Sequence, residues 1–282
     1  MNGFPELFNF NPGIYIKLLV DWLILNFQGF FDVVTIAIKW VVLNIQGYLM
    51  LMPWYVFVLL IFLISWKIKG LKSSLGYMLM IIAIGLIGLW YEMIYTLSIV
   101  IAAVMISVII GVPTGIYTAY NQRLETFLKP LLDGMQTMPS FVYLIPAMIF
   151  FGLGIVPAVF ATIVYSTPPC IRLTTLAIRQ VPKEMREAAY AFGSSRWQAL
   201  AKVELPQAMP TIMAGINQTT MMAMSMVVIS SMIGAKGLGE NVLIAINRTD
   251  IAMGFNAGIS IVFLAIIIDR LTQVVSDKYK NV

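Results

Sequence analysis

Val181-Pro-Lys-Glu-Met-Arg-Glu-Ala-Ala-Tyr-Ala-Phe-Gly193, continued by Ser194-Ser-Arg-Trp-Gln-Ala-Leu-Ala-Lys-Val-Glu-Leu-Pro206, is the stretch on which the fold turns. It lies in Arg172–Glu204, where nine charged residues gather in a chain that otherwise avoids charge. Pro182 suits a first helical position, and acids occupy the turns that follow, so a short helix is predicted there. Gly193 is expected to end it in the left-handed conformation. Ser194 or Ser195 can cap a second short helix reaching Ala201. Leu205-Pro206 is then expected to break the chain before the next apolar run.

Outside this loop the chain is apolar. Of 282 residues, 60% are hydrophobic and 11% charged, and the mean hydropathy is +0.89. Soluble domains carry about 25% charged residues. A globule this apolar has too little polar surface to cover itself, which leaves an all-α polytopic membrane protein. There is no histidine, and Cys170 is the single cysteine. Ser-His-Asp and Cys-His relays, His-ligated zinc or haem, and a disulfide within the chain are excluded. The formal charge of +5 is read as a topology signal, with no nucleic-acid partner implied. The start, MNGFPELFNFNPG, lacks the basic onset of a signal peptide, so the whole chain is expected to be mature.

Charge-free runs mark the expected crossings: Tyr48–Trp66, Leu75–Tyr91, Met93–Gln122, Thr211–Ile233 and Ile251–Ile268. Gly111-Val-Pro-Thr-Gly115 predicts a kink or early end within the third of these runs. Gly134–Ile171 is too long for one helix at ~20 residues per crossing, and Gly152-Leu-Gly-Ile-Val-Pro157 is expected to split it into two. Alternating from these runs, one side receives Lys67, Lys69, Lys72, Arg123, Lys129, Arg172, Arg179, Lys183, Arg186, Arg196, Lys202, Arg270, Lys278 and Lys280. The other receives Lys236 and Arg248, with Lys17 and Lys39 if the N-terminal region lies there. The positive-inside rule makes the first side, with Arg172–Glu204 and the C-terminus, cytoplasmic.

Tyr15–Gly47 follows another pattern. Lys17, Asp21, Gln28, Asp32, Thr35, Lys39 and Gln46 are spaced by four, seven, four, three, four and seven. At ~100° per residue they form one polar stripe on an apolar helix. Such a helix lies in the membrane interface with its stripe wet, or spans with the stripe packed on protein. The cost of Lys and Asp at mid-membrane favours the interface, and Gly29 is a candidate break. The expected organisation is an amphipathic region over 1–47, accessory spans over 48–91, a core over 92–275 with its loop at 172–204, and a tail over 276–282.

The loop resembles a known motif. Glu187-Ala188-Ala189, three residues, Gly193, nine residues, then Val203-Glu204-Leu205-Pro206 is similar to the EAA loop of ABC importer permeases. Val203 in place of isoleucine is its one departure. Met135-Gln-Thr-Met-Pro-Ser-Phe-Val-Tyr-Leu-Ile-Pro146, Thr167-Pro-Pro-Cys-Ile-Arg172, Met209-Pro-Thr-Ile-Met-Ala-Gly-Ile-Asn-Gln-Thr220 and Ser225-Met-Val-Val-Ile-Ser230 resemble the permease subunit of glycine betaine/proline betaine importers.

The resemblance implies a type I ABC importer permease in a bacterial cell membrane, two copies of it working with two ATPase subunits. It implies a separate extracytoplasmic binding protein. ATP and Mg would bind the ATPase, with no cofactor and no catalytic residue on this chain. Glu187 would offer its carboxylate to the ATPase, Ala188 and Ala189 would permit close docking, Gly193 would make the turn, and Leu205 and Pro206 complete the motif. Asn217, Gln218, Ser225 and Ser230 are read as a translocation lining or as hydrogen bonds between helices. Asp269 and Arg270 are expected at a solvated helix end. Other solutes on the same architecture (choline, carnitine or a small amino acid) and an ion-coupled secondary transporter are the alternatives.

Overall fold

The computed structural model describes residues 12–280. The N-terminal stretch 1–11, the final two residues of the tail and the basic side chains of Lys69, Lys278 and Lys280 lie outside the described residues. The helices are α1 (Pro12–Leu51), α2 (Trp54–Lys69), α3 (Leu71–Ile87), α4 (Trp90–Tyr120), α5 (Gln122–Thr137), α6 (Leu144–Phe151), α7 (Ile155–Arg179), α8 (Lys183–Ala191), α9 (Arg196–Ala199), α10 (Leu205–Ser230), α11 (Leu238–Arg248) and α12 (Ile251–Lys280). No strand occurs among the described residues.

The centre is α4, α7 and α10: α7 packs extensively on both α4 and α10, which meet each other over a shorter stretch. Small residues let α4 and α7 approach closely, as membrane helices require in the absence of a hydrophobic drive between them. A Cβ on Gly111 would lie 2.9 Å from the Cys170 Sγ, and one on Gly115 would lie 2.6 Å from the Thr174 Cβ. Buried hydroxyls stitch the same seam. Thr167 donates to Ser107 at 3.1 Å, and Thr175 donates to the Gly115 carbonyl at 3.0 Å. Outside this centre, Leu59, Leu63, Leu79, Leu86 and Val262 are exposed. A belt of that kind suits hydrocarbon and disfavours water.

The bundle has two distinct ends. At one, the Gly154 N–H donates to the Ile233 carbonyl and the Leu238 N–H to the Thr96 hydroxyl, both at 2.9 Å. At the other lie α8 and α9, held over a second, smaller core of Ala177, Ile178, Val181, Leu200, Ala208 and Ile212.

Several sequence expectations shift. The break in α1 falls at Phe27 (φ −120, ψ 22), whereas Gly29 stays helical. α1 then continues to Leu51, so the Tyr48–Trp66 crossing begins only at Trp54, after Pro53 stops the preceding helix. The later half of α1 buries Ile38 and Val42. Phe31 stacks on Phe150 with centroids 4.7 Å apart, while Met50 and Met52 share a groove with Trp90 and Tyr91. Both contacts lie at the Gly154 end of the bundle, so this half of α1 lies across that end.

The third run does not end at Gly111–Gly115: α4 continues to Tyr120, because those glycines serve the contact with α7. The predicted crossing between Gly134 and Gly152 contains a corner. α5 and Ser140–Phe151 are bent by 109°. Pro139 excludes Met138 from the α region (φ −67, ψ 135), and the Tyr143 hydroxyl braces the bend by donating to the Met135 carbonyl at 2.5 Å. Leu205-Pro206 does not break the chain either. α9 runs through a π-helical turn, Leu200–Glu204, into α10. There the Leu205 N–H reaches back to the Leu200 carbonyl, and the wider turn accommodates a proline in the first turn of α10.

Candidate functional site

The loop folds into two short helices joined by a tight turn. Gly193 has φ +80, the left-handed region expected of it. The turn closes as the Gly193 N–H donates to the Tyr190 carbonyl at 2.9 Å and the Ser194 N–H to the Ala189 carbonyl at 3.0 Å. Ser195, not Ser194, caps α9, in a capping box with Gln198. Glu187 and Ala188 are exposed on α8. Ala189 is not available to a partner: it is buried, and its small side chain lets α8 approach α9 and the π-helical turn. Leu205 joins the smaller core and Pro206 is exposed.

Sequence reasoning missed the aromatic residues. Phe192 is 91% exposed and Trp197 79%, beside a half-exposed Tyr190. Large aromatic side chains displayed on a polar loop are the typical anchors of a protein interface. Their signal was present as aromatics in the one segment where charge dominates. Glu204 was missed too, since it occupies the pattern's unspecified position.

The four candidate lining residues separate. Gln218 and Ser225 are exposed on one face of α10, in line with Ala214, Met221 and Met232. Ser230 is buried and donates to the Val227 carbonyl of its own helix at 2.8 Å. Asn217 ties α10 to α12: its amide donates to the Asp269 carboxylate at 3.0 Å, and Thr272 donates to its carbonyl oxygen. Gln273 completes the ring on Asp269 at 2.8 Å. Asp269 is thus no solvated helix end, because α12 continues past it and α10 covers it. Asn217→Ala removes one of these bonds to a charged group and should cost ~1.5–3 kcal/mol. Thermal unfolding in detergent should show the drop for Asn217→Ala and no change for Gln218→Ala.

The loop end also carries two ion pairs between α5 and α7. Arg179 meets Glu125 at 2.6 Å, and Arg172 meets Asp133. Both are partly exposed and contribute little stability on their own. Among the described residues, no three or more His, Cys, Asp or Glu side chains come together as metal ligands.

A tight helical bundle with an apolar outer belt and a polar, aromatic-bearing loop at one end defines a polytopic membrane protein. Residues 111–281 match the family described as binding-protein-dependent transport system inner membrane component, and the chain belongs to that family. It is 48% identical over 274 residues to the glycine betaine/carnitine transport permease protein GbuB of Listeria monocytogenes, covering 95% of this chain and 96% of that one. It is 46% identical to the glycine betaine/proline betaine transport system permease protein ProW of Escherichia coli, covering 91% of this chain and 72% of the relative. The glycine betaine transport system permease protein OpuAB of Bacillus subtilis is 42% identical, with 94% of each chain covered. Among solved structures, a chain of the inward-facing MetNI methionine ABC transporter superposes with a TM-score of 0.61 at 20% identity, over 68% of this chain and 95% of that one. The type I ABC importer fold expected from the sequence is therefore the fold present.

Proposed function

We propose that this chain is the membrane-spanning subunit of an ATP-driven importer that brings glycine betaine or a related quaternary ammonium solute into the cell. The observation that carries the proposal is the docking loop, which shows Glu187, Tyr190, Phe192 and Trp197 on its surface. Exposed aromatics with a carboxylate among them suit a groove on an ATPase that offers an apolar pocket and a basic group. Two copies of the chain, each with one docking loop, engage two ATPase subunits, which bind ATP and Mg. A separate extracytoplasmic protein captures the solute. The loop and the C-terminus face the cytoplasm, and the later half of α1 lies in the opposite membrane interface. Gln218 and Ser225 line the path, because they are the polar residues on an exposed face of α10 that also carries Ala214 and Met221.

The solute class follows the names of relatives at 42–48% identity. Carnitine is a second reading, favoured by the Listeria relative's name. Proteoliposomes holding the permease, its ATPase and its binding protein test both. Betaine should stimulate ATP hydrolysis and accumulate, and competition by unlabelled carnitine ranks the two solutes. Import with no ATPase present would sink the proposal. Phe192→Ala and Trp197→Ala should each weaken ATPase capture by ~2 kcal/mol, about 30-fold, if they are interface anchors. Titrating purified ATPase onto the immobilised permease measures it.

A further inference from the structure

The docking helix α8 meets the rest of the subunit at few places, chiefly α9 and the π-helical turn Leu200–Glu204. Glu204, the last residue of that turn, is enclosed, with 0% of it exposed. One carboxylate oxygen accepts from the Tyr120 hydroxyl, at the end of α4, at 2.5 Å. The other, Oε1, is buried with no hydrogen-bond partner. On α8, Arg186 donates through one terminal nitrogen to the Val181 carbonyl at 3.0 Å, while its Nε is buried and unpartnered.

A buried acceptor on the π-helical turn and a buried donor on the helix packed against that turn are therefore both open. Each open group is costly when buried. Neither Arg186 nor Glu204 has spent its full bonding capacity in this conformation. Single π-helical turns of the kind that carries Glu204 occur often at functional positions. The three side chains also stand on three different elements: the docking helix, the root of α10 and the foot of α4.

We propose that Arg186, Glu204 and Tyr120 are the relay that passes movement of the docking helix to α4 and α10. Arg186 closes onto the open oxygen of Glu204 when the ATPase pushes α8, and Tyr120 keeps that carboxylate fixed to α4. All three are positioning residues. This inference rests on the importer reading above.

The test is the ratio of solute imported to ATP hydrolysed, in liposomes holding the permease with its ATPase and binding protein. Glu204→Gln keeps an acceptor for Tyr120 and removes the charge. Arg186→Gln removes the other charge. Each should lower the ratio severalfold while the ATPase still co-purifies and still hydrolyses ATP. The double variant should be no worse than the poorer single, because a broken link cannot break twice. Unchanged ratios, or a double loss equal to the product of the single losses, would overturn the relay. A purely structural role would lower the yield of assembled complex and leave the ratio intact, which also counts against it. Should Glu204→Gln not assemble, Tyr120→Phe removes one hydroxyl only, and an unchanged ratio there overturns the relay by itself. A wild-type complex that hydrolyses ATP but imports no solute would instead sink the importer reading.

Discussion

Gly193→Val is expected to cut ATP-driven uptake by at least ~10-fold, the equivalent of ~1.4 kcal/mol, while the protein still reaches the membrane. The reason is conformational. Gly193 sits at φ +80, and nothing lies within 4 Å of the place where a Cβ would stand. The left-handed region costs an L-residue ~1–2 kcal/mol, and more for a β-branched one. α8 is a nine-residue helix, and helices shorter than ~12–15 residues are marginal on their own. Its end depends on the bonds from Gly193 and Ser194 back to Tyr190 and Ala189. Valine opens that turn and misplaces Phe192 and Trp197 together. Asparagine tolerates the same region, so Gly193→Asn should keep most uptake. Equal transport by the valine variant and wild type would show that the turn does not matter to docking.

A second large effect is expected in the seam. Gly115→Leu should reduce the monodisperse protein extracted from membranes by ~10-fold or more, since overpacking a tight contact costs ~1–3 kcal/mol and occasionally more. A Cβ at Gly115 would stand 2.7 Å from the Ile171 carbonyl oxygen as well as 2.6 Å from the Thr174 Cβ. A backbone atom cannot swing aside, so α4 must move off α7. That movement also pulls the Gly115 carbonyl from Thr175 and Ser107 from Thr167. Gly115→Ala should be intermediate. Gly134→Ala is the control, because open space surrounds that position. Size-exclusion profiles of the extracted protein give the answer, and a native profile for the leucine variant would refute the seam.

Charge-free runs located α4, α7, α10 and α12, since a residue's polarity alone decides whether it tolerates hydrocarbon. The docking loop was legible for a second reason. A helix start, a left-handed glycine and a serine cap are local matters, decided within a few residues of each other. What escaped depends on partners distant in the chain. Asp269 is indistinguishable from a solvated helix end until Asn217, 52 residues away, is seen to hold it. Glu204 reads as one more loop charge until Tyr120, 84 residues away, covers it. Gly111 and Gly115 read as a break because glycine and proline weaken an isolated helix, and only the neighbouring helix shows why they are there. The fourfold polar cluster on α10 divides for the same reason: Gln218 and Ser225 differ from Asn217 and Ser230 in what stands opposite them.

The burial of Cys170 beneath Gly111 has a practical consequence. It is the single cysteine in the sequence, 0% exposed, with its sulfur pressed into the α4–α7 seam. Water-soluble maleimides have no route to that thiol in the folded protein. The unmodified chain therefore serves as its own cysteine-silent background. A thiol introduced at exposed Glu184 or Asn247 reports without competition, and the tight glycine contact need not be disturbed to obtain that silence. Probes attached at those two places, one near each end of the bundle, can follow sidedness and movement in a protein whose packing is left as nature made it.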